Sequence, residues 1–379
     1  MNILIAPNAF KHSLPASEIA EAIKSGFEDS NLESDYLLFP IADGGEGITD
    51  ILIKKLKGRL EHVKVSDALG REIATSFGII ANDTAVIELA SASGLKWLKN
   101  ADLNPLITSS FGTGQLILKA LDSGLRKFVI GLGNSATVDG GVGILQALGV
   151  KFLNVNHQEI GLGGAQLAHI TQVDCSGIDI RLKDCHIKVA CDVENKLLGE
   201  SGAARVFAPQ KGASEKMVVI LENALTNFNR ITKQDLGKDM SDLLHGGAAG
   251  GVAASLAIFL NAELVSGAGY LLQLTGFEEA LSKSDLLVTA EGGLDEQTLA
   301  GKGPYGAAKL AKQKGLPVIV FAGQIPYNLD LSKFEYFDAV FSIGTGPVTL
   351  DEALKNTAQN LRRTACQVGK MLKLKLNTD

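Results

Sequence analysis

The chain has 379 residues, 46% of them hydrophobic, enough for two packed cores. Its 36 basic and 42 acidic residues give a formal charge of −6, which excludes the electrostatic footprint of a nucleic-acid binder. The start MNILIAPNAFKHS has no basic leader, no apolar stretch reaches the roughly 18 residues of a membrane span, and four cysteines make no disulfide framework. These features predict a soluble cytoplasmic protein with no nucleic-acid or membrane partner; the oligomeric state is not legible.

In chain order, NILIAP (2–7) reads as a strand, and Pro15 and Ser17 open an amphipathic helix to about Phe27. YLLFPIA is a second buried strand and GEGITDILIKKLKG a helix closed by Gly58. Residues 62–80 alternate around a turn at Asp67–Gly70, which predicts an antiparallel hairpin. VKFLNVN is a further strand, and AAGGVAASLAIFLNA (248–262) is an apolar helix. The last third returns to strand–helix alternation: DLLVTA (285–290), a helix from Pro304 to Lys314 stopped by Gly315, PVIVFAG, AVFSIG, and one final helix over 350–372.

This order predicts an α/β protein of two domains. A discontinuous Rossmann-like domain takes 1–62 and 264–379, a mixed α/β domain over 63–263 is inserted into it, and the active site is expected in the cleft between them.

Glycine is abundant, 42 residues against nine prolines, and it clusters at strand-to-helix junctions where α/β enzymes place ligand loops. Three junctions carry an acid and two glycines: Asp43-Gly44-Gly45, Asp139-Gly140-Gly141 and Glu291-Gly292-Gly293. Glycine pairs let backbone N–H groups reach an anion at a helix start, while the acid can hold Mg²⁺ against phosphate, accept a proton, or simply cap its helix. Lys11, Lys211 and Lys302 sit beside such loops and suit a phosphate or carboxylate as point charges. Asp192, after the apolar run ending at Cys191, is a further candidate acid.

Residues 131–136, GLGNSA, satisfy the dinucleotide pattern G-x-G-x-x-[G/A], but the next strand ends in Asn154 and Asn156 where a ribose-binding acid is required. No P-loop, protein-kinase, nucleophile-elbow or zinc-protease motif occurs.

APNAFKHSL, PIADGGEGITDIL, VIELASASGL, TSSFGTGQLI, GLGNSATVDGGVGILQALGV, CDVENKLLG, FAPQKGA, GGAAGGVAASL and VTAEGGLDEQTLAGKGPYG follow one another in this order. This series resembles the bacterial type I glycerate kinase family. The resemblance implies two α/β domains and ATP- and Mg²⁺-dependent phosphorylation of D-glycerate, usually at the 2-hydroxyl. It retains Phe10, Lys11, Ser135, Thr137, Asp139, Glu291, Asp295 and Gln297. It departs at Asn8, Ala9 and His12 (usually Asp, Ser, Gly), at Asn134 and Val138 (usually Gly, Asn), and at Ala290 and Gly293 (usually Gly, Arg).

The roles expected from this are as follows. Asp192, Lys11 and Asp43 are catalytic; Lys11, Ser13, Arg71, Ser135 and Thr137 bind substrate. Gly44, Gly45, Gly140, Gly141, Lys211, Glu291, Gly292 and Lys302 bind nucleotide phosphates, and Asp139, Asp192 and Asp295 hold the metal. The alternatives are a kinase for a related hydroxy acid or polyol, an NAD-dependent dehydrogenase, and a non-catalytic ligand-binding homologue.

Overall fold

The structure is a computed structural model, and it describes residues 1–10, 12–41, 47–296, 298–300 and 303–374. The strands in chain order are β1 Asn2–Ile5, β2 Asp35–Leu38, β3 Arg59–Ser66, β4 Glu72–Ile80, β5 Thr84–Glu88, β6 Lys127–Gly131 and β7 Lys151–Leu153. They continue with β8 Gln172–Asp174, β9 His186–Ala190, β10 Glu263–Val265, β11 Leu286–Gly293, β12 Val318–Gln324 and β13 Ala339–Ser342. By internal contacts the chain divides into two units, Met1–Asp43 with Ala268–Asp379, and Gly44–Gly267.

The discontinuous unit is built on a five-stranded sheet in the order β13-β12-β11-β1-β2, every pairing parallel. Parallel strands covered on both faces must be apolar on both, and these are. Ile3, Ile5, Val288 and Phe321 meet Ile19, Ile23, Phe27, Leu361 and Ala365 of helices Ala16–Asp29 and Thr357–Leu372. Leu4, Leu287, Val318 and Val320 meet Phe277, Leu281, Ala307 and Ala311 on the opposite face. Counted within the unit the strand order is 2-1-3-4-5, the flavodoxin-like doubly wound order, and not the 3-2-1-4-5-6 of dinucleotide-binding folds. Its switch point lies between β1 and β11, where ligands bind beyond the carboxyl ends of the strands in sheets of this kind.

The single helix expected over 350–372 is two, Leu350–Lys355 and Thr357–Leu372. Thr349 and Glu352 form a capping box at the start of the first. Ser13 Oγ bonds to the Leu354 carbonyl at 2.8 Å, so a side chain takes a carbonyl a continuous helix would use.

The second unit holds a six-stranded sheet, β10-β9-β6-β5-β4-β3. β10, β9, β6 and β5 run parallel, and β4 and β3 complete it as the antiparallel hairpin the sequence predicts, paired from Arg59↔Ile79 to Ser66↔Glu72. VKFLNVN contributes only β7, which pairs with β8 in a separate antiparallel ribbon. The helix Ile48–Leu56, which chain order alone assigns to the discontinuous unit, packs on β4 and β5 through Ile48, Thr49 and Leu52. The pairings Glu88↔Gly131, Gly131↔Ala190 and Ala190↔Val265 put the ends of four parallel strands on one row.

Candidate active site

Asp139 follows β6 in the loop that the acid–glycine pattern singled out, and it is 1% exposed. Its Oδ2 accepts from Ser110 N (2.7 Å), Ser110 Oγ (2.8 Å), Ser109 Oγ and Gly143 N (both 3.3 Å), and its Oδ1 from Gly141 N (3.2 Å). One carboxylate thus caps two helices, Phe111–Asp122 and Val142–Ala147. Gly143 permits the approach, since a Cβ there would lie 2.2 Å from Ser109 Oγ. With five donors on two oxygens, Asp139 is a scaffold anchor in place of the metal ligand expected.

The glycine pair behind it is likewise committed. Gly140 N–H donates to the Gly250 carbonyl at 3.0 Å, Gly141 N–H is used by Asp139, and Ser255 Oγ donates to the Gly140 carbonyl. Gly250 has φ 70°, and a Cβ on it would sit 2.3 Å from the Thr137 carbonyl oxygen. Gly140 and Gly141 therefore join two backbones; their N–H groups are not directed at a phosphate.

Ser135, Thr137 and Lys211 belong to the same interior. Lys211 is 2% exposed and its Nζ donates to Ser135 Oγ and the Thr137 carbonyl, both at 2.7 Å. Burial brings its pKa down to about 7, opposed by the charge of Asp139. Expected on a phosphate and on substrate, these three residues are enclosed; Lys211 ties the Pro209–Lys211 turn to the loop after β6. Arg71, expected on the substrate carboxylate, directs Nε to Asp67 Oδ2 (2.6 Å) and one terminal nitrogen to the Trp97 carbonyl (2.9 Å), so it holds the hairpin turn.

Asp192 has a different setting. It lies two residues beyond β9, half-buried, with Ser266 Oγ donating to its Oδ1 at 3.1 Å. The adjacent Cys191 thiol is pushed up to about 12 by burial and stays protonated. Glu88, which the sequence did not single out, ends β5 on the same row of strand termini. Its signal was a lone acid closing the apolar run Ala85-Val86-Ile87.

In the discontinuous unit, β1 is prolonged by Ala6 N–H to the Val288 carbonyl and Asn8 N–H to the Ala290 carbonyl, which brings Asn8 beside β11 at the switch point. Glu291 is buried there and accepts from Thr298 Oγ1 at 3.2 Å. Exposed Asp295 accepts from Thr298 N–H at 2.9 Å. Gly292 stands beside Phe10. Ser13, expected on substrate, has its hydroxyl between the Leu354 carbonyl and Thr357 Oγ1, 2.7 Å away, a structural tie. Lys11, Asp43, Gly44, Gly45, Gln297 and Lys302 lie outside the described residues.

Comparison with known proteins now adds to this geometry. The Glycerate kinase family matches residues 3–373. The chain is 44% identical to the glycerate 2-kinase of Escherichia coli K12 over 98% of both chains, and 42% identical to the glycerate kinase of Bacillus subtilis 168 over 99% of this chain and 98% of that one. The crystal structure of a Salmonella typhimurium LT2 protein described as a glycerate kinase 2 superimposes with a TM-score of 0.83 at 43% identity, covering 98% of each chain.

The chain belongs to the glycerate kinase family.

It is therefore a kinase, and the dinucleotide reading of GLGNSA falls away. Mg²⁺ takes hard oxygen donors. Asp139 does not fit, because its oxygens are enclosed by protein donors. The partly open carboxylate of Asp192 and the Glu291–Asp295 pair do fit by donor chemistry. Among the described residues no three acidic, histidine or cysteine side chains converge as a metal cage. Magnesium keeps waters and substrate phosphates as ligands, so one or two carboxylates suffice. Among the described residues no helix is long and apolar enough to cross a membrane.

Proposed function

We propose that this protein transfers the γ-phosphoryl group of ATP to the 2-hydroxyl of D-glycerate, giving 2-phosphoglycerate and ADP, in the cytoplasm and with Mg²⁺. The observation that carries this reading is the end-to-end match to the Escherichia coli glycerate 2-kinase, 44% identical over 98% of both chains.

The acceptor oxygen forms a bond to the γ-phosphorus as the bond from that phosphorus to the β,γ-bridging oxygen breaks, and the hydroxyl proton passes to a carboxylate. Such transfer rests on positioning and charge neutralisation. Asp192 and Asp43 are the candidate proton acceptors, and Lys11 is the cation for the substrate carboxylate. Lys302 and the glycines Gly44, Gly45 and Gly292 are assigned to the nucleotide phosphates. Asp192 in the second unit, and separately Glu291 and Asp295 in the discontinuous one, are the candidate oxygen donors for Mg²⁺, which when bound would neutralise phosphate charge. Gly293, where the family usually has Arg, removes a planar anion clamp, which makes selectivity among hydroxy acids the point to measure.

The test incubates purified protein with Mg-ATP and a panel of D-glycerate, L-glycerate, other hydroxy acids and polyols, with ³¹P NMR of the products. Phosphorylation of D-glycerate at carbon 2 is expected. A 3-phosphate product would overturn the regiochemistry, preference for another acceptor the substrate, and ligand binding without turnover the enzymatic reading.

A further inference from the structure

Asp192 lies in a stretch, residues 191–196, that belongs to no helix or strand, yet the backbone is tied on both sides of it. Before it, Cys191 N–H donates to the Val265 carbonyl at 3.1 Å, one step beyond the ladder pair Ala190↔Val265. After it, the Val193 carbonyl bonds to His245 Nδ1 at 2.8 Å, and the Asn195 carbonyl accepts from Gly247 N–H at 2.8 Å. A carbonyl can only accept, so this His245 carries a proton on Nδ1. His245 itself sits at φ 69°, a left-handed backbone that is strained for a non-glycine residue and persists where neighbouring structure holds it.

These ties settle the path of the backbone at Asp192 and leave its carboxylate two side-chain torsions. Ser266, the first residue after β10, acts on those torsions: its Oγ donates to Asp192 Oδ1 at 3.1 Å. The end of β10 thus holds the acid twice, the backbone through the Val265 carbonyl and the side chain through the Ser266 hydroxyl. Ser266 is exposed and Asp192 half-buried, so water can replace the hydroxyl as a donor. A water does not fix the direction of the bond, whereas a hydroxyl carried by a sheet strand does. We propose that Ser266 is a positioning residue for phosphoryl transfer, orienting the Asp192 carboxylate through Oδ1. This rests on the reading above in which Asp192 takes part in the transfer. A proton acceptor must reach its proton within hydrogen-bond distance, and a misplacement near 1 Å costs about a hundredfold in rate.

The experiment compares Ser266→Ala, Ser266→Thr, Asp192→Asn and the double variant of Asp192→Asn with Ser266→Ala in the full chain. Steady-state kinetics with Mg-ATP and D-glycerate are read beside urea unfolding. Ser266→Ala is expected to lower kcat about tenfold, with the KM for D-glycerate within about twofold of wild type and an unchanged unfolding midpoint. Ser266→Thr keeps the hydroxyl and is expected to return kcat to within about threefold of wild type. In the Asp192→Asn background the alanine substitution is expected to cost less than about twofold, because residues that act as a unit are not additive. Wild-type kcat in Ser266→Ala overturns the proposal, and so does a Ser266→Thr variant as slow as Ser266→Ala. A full tenfold loss on top of Asp192→Asn also overturns it, since Ser266 would then act independently of the acid. If Ser266→Ala does not fold, Ser266→Cys, whose thiol is a weak donor in the same place, carries the same expectations and the same refutations. An Asp192→Asn variant with wild-type turnover, or a wild-type enzyme inactive on D-glycerate, overturns the underlying reading and the positioning role together. A crippled Asp192→Asn beside a fully active Ser266→Ala overturns the positioning role alone.

Discussion

In the second unit the acid of Asp139-Gly140-Gly141 is enclosed by Ser109, Ser110 and the backbone of two helix starts. In the discontinuous unit Glu291-Gly292-Gly293 lies at the switch point between β1 and β11, sharing Thr298 with an exposed Asp295. The same residue pattern after a parallel strand therefore serves two ends. Where a second glycine loop (residues 247–251) packs against it, the acid becomes a cap for neighbouring helices. Where the strand ends at a switch point, the acid shares Thr298 with a second, exposed acid. Neighbouring backbone, which a local motif does not encode, decides between them.

The contrast can be broken at its strongest point first. Asp192→Asn is expected to lower kcat/KM for D-glycerate by about 10²–10⁴-fold with an unchanged unfolding midpoint, as loss of a proton acceptor would. A midpoint shift with near-normal turnover would move Asp192 to the scaffold. Asp139→Ala should do the reverse: urea unfolding is expected to show a loss of about 3 kcal/mol, because buried donors from two helices lose their acceptor. Glu291→Gln should cost about tenfold or more in kcat/KM while unfolding free energy changes by less than about 1 kcal/mol. An Asp139→Ala variant as stable as wild type, or a Glu291→Gln variant with full activity, would erase the distinction.

Lys211 sharpens the comparison through pH. Its folded pKa, near 7, is below its ordinary value of 10.5. Between those values the unfolded chain holds a proton that the folded chain lacks. The lysine's contribution to stability therefore rises with pH across this window, by up to about 1.4 kcal/mol per pH unit, and is lost as pH falls to 7. Denaturant titrations from pH 7 to 10.5 should show this slope in wild type and lose it in Lys211→Met. The smallest effect is expected at Arg71: Arg71→Ala should change the KM for D-glycerate less than about twofold, since its guanidinium is already bound to Asp67 and the Trp97 carbonyl.

Legibility followed the range of the interactions. The β3–β4 hairpin, the apolar parallel strands and the capped helices were readable because alternation, turn residues and caps act over a few positions. The unit to which Ile48–Leu56 belongs was not, because packing on β4 and β5 decides it. The break at Asn356 depended on Ser13, more than 340 residues away. Lys211 looked like a phosphate ligand because a lysine beside glycine reads the same in an open loop and in a turn that closes over a core. Glu88 was passed over because its partner, the Thr49 N–H, is a backbone atom that leaves no trace in composition.

The pairing of β1 with β11 carries a consequence for synthesis. Ile3 sits opposite Tyr36 on one side and Leu286 on the other, so the β1–β2 pair, made early, must wait about 280 residues of sequence for its second neighbour. Domains fold as they emerge, at roughly 5–20 residues per second, and the whole of Gly44–Gly267 is available before Leu286 is added. On a ribosome the inserted unit thus has tens of seconds to close first, while β1 keeps one apolar edge without its partner strand. Chaperone dependence during translation should accordingly map to residues 2–5, born earliest and covered on their second edge among the last.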